Sequence, residues 1–203
     1  GIRGAAELLG RRLEDERSKK AADLIVGEVD RITALVEELM VFARGESTVS
    51  EHLNIHQVLD SVLDLLSMDE LASKVETKRL FDPSIPELQG DANRLTQVFL
   101  NLARNALQAM EASKPAVLTI ATRMKLEHRL AGSSGRGIPT VEIVITDTGT
   151  GISPEIMGQL ETPFFTTKTS GTGLGLAVSR HWVASHGGTL RIESDGERGT
   201  SVL

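Results

Sequence analysis

Cysteine and tyrosine are absent from this chain of 203 residues, and aromatic residues make up only 3% of it. Without cysteine there is neither a disulfide nor a thiolate metal site, which fits a reducing compartment. With five Phe and one Trp, the core must be aliphatic. A basic excess is missing too. Lys and Arg number 22 against 28 Asp and Glu, leaving a net charge of −6; this argues against a dedicated nucleic-acid surface, because phosphate backbones select basic stripes. No apolar run approaches the roughly 20 residues that span a bilayer, and no secretory leader is visible, so a cytoplasmic location is expected. The chain opens on Gly1-Ile2-Arg3-Gly4 without Met and ends on Ser201-Val202-Leu203 inside a strand pattern, and it reads as an excised fragment. Its length suits one ordinary domain, or one domain plus a small appendage.

What is present begins with helix. Ile2, Ala5, Ala6, Leu9 and Leu13 share one face of a first helix, and a charged stretch, Arg11 to Lys20, follows it. Ile25, Val29, Ile32, Val36, Leu39 and Ala43 recur in steps of four and three, the heptad rhythm of a helix packed in a bundle. Residues 1–44 are therefore expected to form a helical hairpin that completes a four-helix bundle by dimerising. Residues 45–52 lack a hydrophobic period and read as a linker. Residues 53–203 alternate between the two periods. Asn54 can cap a helix over Ile55–Leu66, Val75–Leu80 alternates like a strand, and Asp91 opens a helix to about Met110. Val117–Met124 and Val141–Thr146 read as strands around a loop over 131–137, expected to be mobile, and a helix from about Leu174 to His186 precedes two final strands. The fold class expected is α+β: the hairpin followed by an α/β sandwich with a mixed sheet.

Four segments in this second part carry chemistry. In Asn101-Leu102-Ala103-Arg104-Asn105-Ala106 the two asparagines stand one helical turn apart on one face. They are surface amides, helix-packing hydrogen bonds, or a source of a neutral, hard oxygen for Mg²⁺, which takes few protein ligands beside phosphates and water. In Asp147-Thr148-Gly149-Thr150-Gly151-Ile152 a carboxylate ends an apolar strand and can accept a hydrogen bond from an exocyclic adenine amine, while the glycines permit a tight turn beside a planar ring. A bare turn is the alternative. An aspartic-protease site would need a second such aspartate. Gly171-Thr172-Gly173-Leu174-Gly175-Leu176 runs into a helix, where free N–H groups favour phosphate; it is neither a P-loop nor the dinucleotide fingerprint. Gly199-Thr200 is the last glycine pair. Between the second and third segments, Pro163-Phe164-Phe165-Thr166-Thr167-Lys168 suits a lid, with Lys168 able to reach a phosphate. The five histidines have no metal-ligand spacing and read as surface or packing residues, and Trp182 reads as core.

In this order the segments resemble the catalytic, ATP-binding half of bacterial sensor histidine kinases, a group whose nucleotide fold is shared with DNA gyrase, heat-shock chaperones and mismatch-repair ATPases. Asn101 to Met110 looks like the N box, Asp147 to Ile152 like the G1 box, Pro163 to Lys168 like the F box, Gly171 to Leu176 like the G2 box. The resemblance implies ATP or ADP with Mg²⁺ as cofactors, Asn105 as metal ligand and Asp147 on the adenine amine. Asn101, Gly149, Gly151, Ile152, Lys168, Gly171, Gly173, Leu174, Gly175, Leu176 and Thr200 complete the implied nucleotide contacts. Residues 1–9 with Leu35–Arg44, and the Thr-Pro-Phe-Phe-Thr-Thr-Lys run, resemble kinases of the nitrogen-regulation, NtrB-like type.

That family phosphorylates a histidine and passes the phosphoryl group to a response regulator, so a response regulator, a homodimeric partner and an upstream regulatory protein are the implied partners. The family's phosphoacceptor, in a His-Glu-(Ile/Leu)-Lys-Asn-Pro-Leu segment, would stand just before Gly1. No histidine here replaces it by motif, and the fragment is expected to bind ATP–Mg²⁺ without phosphorylating itself. Alternatives are a gyrase or mismatch-repair type ATPase clamp, disfavoured by Ala103 and Arg104 where such clamps carry a catalytic Glu in this helix, and a non-catalytic ADP-holding dimerisation module.

Overall fold

The structure is a computed structural model that describes residues 1–13, 15–43, 50–127, 138–160, 162, 164–168, 171–196 and 198–203. The chain divides into two compact units: Gly1–Ser47 with Thr162–Gly175, and Thr48–Glu161 with Leu176–Leu203.

The first unit contains the helices α1 (Ile2–Arg12) and α2 (Glu16–Ala43). Asp15 starts α2 sharply. Its carboxylate accepts from the Ser18 backbone N–H at 2.9 Å and from the Ser18 hydroxyl at 2.7 Å, and these bonds hold the Asp15 pKa below its ordinary value. The charged stretch that the sequence reading placed after the first helix is thus mostly helical, because Glu, Arg, Lys and Ala are strong helix formers once a cap is supplied. So short a connection makes α1 and α2 antiparallel neighbours. Small residues line their contact: Ala6 and Ala22 are buried, and a Cβ on Gly10 would touch that of Ala22 at 3.4 Å. Larger apolar residues, among them Leu8, Leu9, Leu24, Ile25, Ile32 and Val36, remain exposed in this single chain.

The second unit holds β1 (Glu51–Leu53), α3 (Ile55–Leu66), β2 (Glu76–Leu80), β3 (Leu88–Gly90), α4 (Ala92–Ala109), β4 (Val117–Glu127), β5 (Ile138–Asp147) and α5 (Pro154–Met157). After these come α6 (Gly175–Ser185, whose first residue belongs to the first unit), β6 (Ile192–Glu193) and β7 (Thr200–Val202). Five strands form one mixed sheet in the order β2-β4-β5-β7-β6, parallel only between β2 and β4. A separate antiparallel pair joins β1 to β3. The last two residues read as linker, Glu51 and His52, lie in β1. The rest of that stretch falls largely outside the described residues, as does the 131–137 loop.

The two long helices start where polar caps were expected. The Asn54 side chain accepts from the His56 N–H at 2.9 Å, and that of Asp91 from the Arg94 N–H at 3.0 Å. Their apolar stripes, Ile55, Val58, Leu59, Val62, Leu63 and Leu66 on α3 and Leu95, Val98, Phe99, Leu102, Ala103, Ala106 and Leu107 on α4, are buried. On the sheet, burial alternates as a pleat requires. Leu118, Ile120 and Thr122 of β4 and Ile145 and Asp147 of β5 are buried, and Leu118 pairs with Asp147 as Ile120 pairs with Ile145. Asp147 therefore emerges on the core face of the sheet.

Candidate nucleotide site

Asp147 is 6% exposed. The strand parity that buries Ile145 carries the carboxyl group inward, and the chain then turns at once. Burial pushes the Asp147 pKa above its ordinary 3.8, against the pull of the Gly149 and Thr200 backbone N–H groups that donate to it; the Gly149 bond is 2.8 Å. A carboxylate with so little water around it is poised to accept from an N–H donor brought by a ligand.

The turn that follows is packed against the end of α4. A Cβ on Gly149 would stand 2.7 Å from Asp147 Oδ1 and 2.8 Å from both the Cβ and the carbonyl oxygen of Ala109. The Thr150 N–H donates to that Ala109 carbonyl at 3.3 Å. Thr148 fastens the other side: its hydroxyl donates to the Pro115 carbonyl at 2.8 Å and accepts from the Val117 N–H at 2.9 Å. Gly151 adopts φ +72°, which a glycine supplies at little cost.

Asn105 belongs to the same place. Residues four apart lie on one helix face, so exposed Asn105 stands above Ala109, about 6 Å along the axis from where the Asp147 turn abuts α4. Asn101, one further turn away, is engaged differently. Its Nδ2 donates to the hydroxyl of Ser179 at 3.0 Å, and Ser179 is buried. That amide joins α4 to α6.

The last glycine pair closes over the Asp147 turn from the far side. Gly199 has φ +68°, and a Cβ there would overlap the Asp147 carbonyl oxygen. Its N–H donates to the Gly149 carbonyl at 2.8 Å, and Thr200 pairs with Asp147 across the sheet. Ser194, which the sequence reading did not single out, stitches these pieces together. Its hydroxyl donates to the Gly199 carbonyl at 2.8 Å and accepts from the Ile152 N–H at 2.9 Å.

The remaining residues expected at the site, Lys168, Gly171, Gly173, Leu174 and Gly175, belong to the first unit, while Leu176 opens the later part of the second. Phe164 and Gly173 are clasped together. Gly173 at φ +71° donates no side chain, and its carbonyl accepts from the Phe164 N–H at 3.2 Å; a Cβ would run into the Phe164 backbone. Phe164 itself has φ +67° and is 58% exposed, a rare conformation for a bulky residue. Lys168 is exposed by area, yet the surrounding chain removes enough water from its ammonium to hold its pKa below the ordinary 10.5. An ammonium in that setting favours an anionic neighbour.

Chemically, the donor set suits a nucleotide and its magnesium. Among the described residues no cluster of three or more His, Asp or Glu could hold a metal by itself, whereas Mg²⁺ bound mainly by phosphate oxygens and water needs one neutral amide such as Asn105. An open depression of about 400 Å³ lined by Met157, Leu160, Arg180, Leu190 and Ile192 lies beside the edge strand β6 and contains none of the expected site residues.

A family model described as histidine kinase-, DNA gyrase B-, and HSP90-like ATPase matches residues 90–203. The chain belongs to this ATPase family. The matched stretch of this family member runs from the last residue of β3 to the final residue and includes α4, the Asp147 turn and both later glycine segments. Over nearly its whole length the chain is also similar to the sensory histidine kinase/phosphatase NtrB of Rhizobium meliloti, at 37% identity across 98% of this chain and 52% of that protein. NtrB of Vibrio alginolyticus is 34% identical across 96% of this chain and 54% of that protein. The chain thus spans about half the length of these curated relatives. Full-length ShkA in complex with AMPPNP has the same fold, with a TM-score of 0.74 and 23% identity over 99% of this chain and 41% of that one. So does histidine kinase ThkA in complex with response regulator protein TrrA, with a TM-score of 0.70 and 20% identity over 99% of this chain and 55% of that one.

Proposed function

We propose that this chain is the ATP-binding catalytic part of a cytoplasmic sensor histidine kinase of the NtrB type, which phosphorylates a histidine and passes the phosphoryl group to a response regulator in nitrogen regulation. One observation carries the reading: a buried, desolvated carboxylate, Asp147, ends its strand in a turn packed on Ala109 of α4, the helix that carries exposed Asn105 one turn earlier. A carboxylate and an amide on these neighbouring elements would serve a ligand with an amine at one end and a metal-bound anion at the other. The similarity to NtrB supports the nitrogen-regulation assignment. Among the described residues no helix is long and apolar enough to cross a membrane, which is compatible with a cytoplasmic location.

Bound ATP–Mg²⁺ supplies the transferable γ-phosphoryl group, and phosphoryl transfer asks of the protein mostly positioning and charge neutralisation. Asp147 would accept a hydrogen bond from the adenine amine and fix the base. The Gly149–Ile152 turn leaves the ring room to lie against backbone, and Thr200 holds the carboxylate in place. Asn105 lends an amide oxygen to Mg²⁺. Lys168 and the backbone of the 171–176 segment would supply phosphate contacts, as the family resemblance implies, and the Phe164 N–H bond to the Gly173 carbonyl folds that segment back on itself. Residues 1–44 would be the dimerising hairpin, with exposed Leu24, Ile25, Ile32 and Val36 meeting a second copy, residues 45–52 the linker, and 53–203 the catalytic domain.

Two experiments test this. Isothermal titration with ADP, with Mg²⁺ or with EDTA, should show tighter binding with Mg²⁺; Asn105→Ala should remove that gain, about tenfold or more, while sparing the affinity in EDTA. Loss of affinity to the same factor in both buffers would remove the metal role. Incubated with γ-labelled ATP, residues 1–203 alone should stay unlabelled, because no histidine here stands in a phosphoacceptor motif. Acid-labile label on this chain would contradict that.

A further inference from the structure

His186 belongs to none of the nucleotide motifs, yet both of its ring nitrogens are engaged. Nε2 accepts from the Asp91 backbone N–H at 2.9 Å, and Nδ1 lies 2.7 Å from the Trp182 carbonyl oxygen. A backbone N–H only donates and a carbonyl only accepts, so the ring is the neutral tautomer with its proton on Nδ1. One nitrogen holds the end of α6 and the other the residue that caps α4.

Two more contacts continue the same line. The Arg94 guanidinium lies 4.2 Å above the Trp182 ring, a cation–π stack, and Asn101 donates to Ser179 at 3.0 Å. On α6 the participants step by three and four (Ser179, Trp182, His186); on α4 they step by seven and three in the opposite sense (Asn101, Arg94, Asp91). Such spacing is one face of each helix. The result is an antiparallel polar seam with His186 at one end. Extended by one turn beyond Asn101 and Ser179, it sets Asn105 opposite the opening turn of α6, from Leu176 onward.

We infer that His186 is a positioning residue for the metal-holding amide. By fixing the far end of the seam it sets the register of α4 against α6, and α4 carries that register along roughly 20 Å of helix to Asn105. The alternative, a histidine that only fills space, accounts for neither the two directed hydrogen bonds nor the bare Gly90 beneath the ring, where a Cβ would stand 2.8 Å from His186 Cδ2. This inference rests on the nucleotide reading above, with Asn105 at the metal.

The test uses ADP affinity by calorimetry on residues 1–203, with Mg²⁺ and with EDTA, for wild type, His186→Ala, Asn105→Ala and the double variant. The expected result is that His186→Ala weakens binding about tenfold with Mg²⁺, the scale of an outer-shell support, and leaves binding in EDTA unchanged. In the double variant the second substitution should cost nothing further, because both act on one interaction. His186→Gln, whose amide presents an acceptor and a donor, should restore part of the Mg²⁺ gain. Should His186→Ala fail to fold, Gly90→Ala, which displaces the ring without removing it, should reproduce the selective loss. Equal weakening in both buffers, no weakening in either, or additive losses would overturn the positioning role. A wild-type protein that binds no ADP would instead sink the nucleotide reading itself, one that binds it equally with and without Mg²⁺ would sink the metal role of Asn105, and the positioning role falls with either.

Discussion

Gly199→Ala is expected to be among the most damaging single substitutions in the second unit. The backbone there is in the left-handed region at φ +68°, and an added Cβ overlaps the Asp147 carbonyl oxygen with Asp147 carbon and Thr148 Cα close behind. The conformation alone costs an alanine about 1–2 kcal/mol, and forcing apart packed backbone adds about 1–3 kcal/mol. Together these come to about 2–5 kcal/mol, a large share of the stability of an ordinary domain. Thermal unfolding followed by circular dichroism should show a fall of about 10 °C. What relieves the clash must also move Asp147, so ADP titration should show binding lost at temperatures where the variant is still folded. A melting point within 2 °C or so of wild type would mean that the close approach is not rigid.

Asp147→Asn should separate stability from affinity. The charge-assisted bond to an adenine amine is worth roughly 1.5–3 kcal/mol, so ADP should bind about 10- to 150-fold more weakly. The fold should not suffer in proportion, because burial disfavours the charge that is removed. The sign of the pH dependence follows. In the folded state Asp147 takes up a proton at higher pH than in the unfolded chain, so its contribution to stability grows as pH falls from neutral through the folded pKa, until the unfolded carboxyl titrates near 3.8. At neutral pH the variant should melt no lower than wild type, and any advantage should shrink on acidification through that window. Unchanged ADP affinity, or a melting point several degrees lower at neutral pH, would remove the adenine role or the buried-charge argument respectively.

The sequence was legible where local chemistry decides the outcome. Asn54 and Asp91 cap α3 and α4 as expected, since a cap needs only residues two or three positions on. The apolar alternation of β5 ended on Asp147, and the structure places that residue where the alternation requires. Short elements escaped: β1 and β3 have three residues each, too few to show a period. α5 also went unread, although Ser153 before Pro154 is a start signal. The polar stitching was invisible for another reason. Ser194 meets Ile152 across 42 positions, Asn101 meets Ser179 across 78, and His186 meets Asp91 across 95. Each is an isolated polar residue whose partner only the completed sheet and helices bring near. The spacing of Asn101 and Asn105 fixed their shared face, but only the position of Ser179 reveals that the Asn101 amide joins two helices.

The carboxylate at the end of β5 is addressed by parity. It points inward because it stands two positions after Ile145 and, through the ladder, it pairs with Leu118. Deleting or inserting one residue within this strand would rotate every later side chain by half a turn, sending Asp147 outward and Thr146 or Thr148 in. The strand would still form, with its hydrogen bonds intact, and its message would be inverted. For this segment, single-residue length changes are therefore more hazardous than most point substitutions, whatever amino acid is gained or lost.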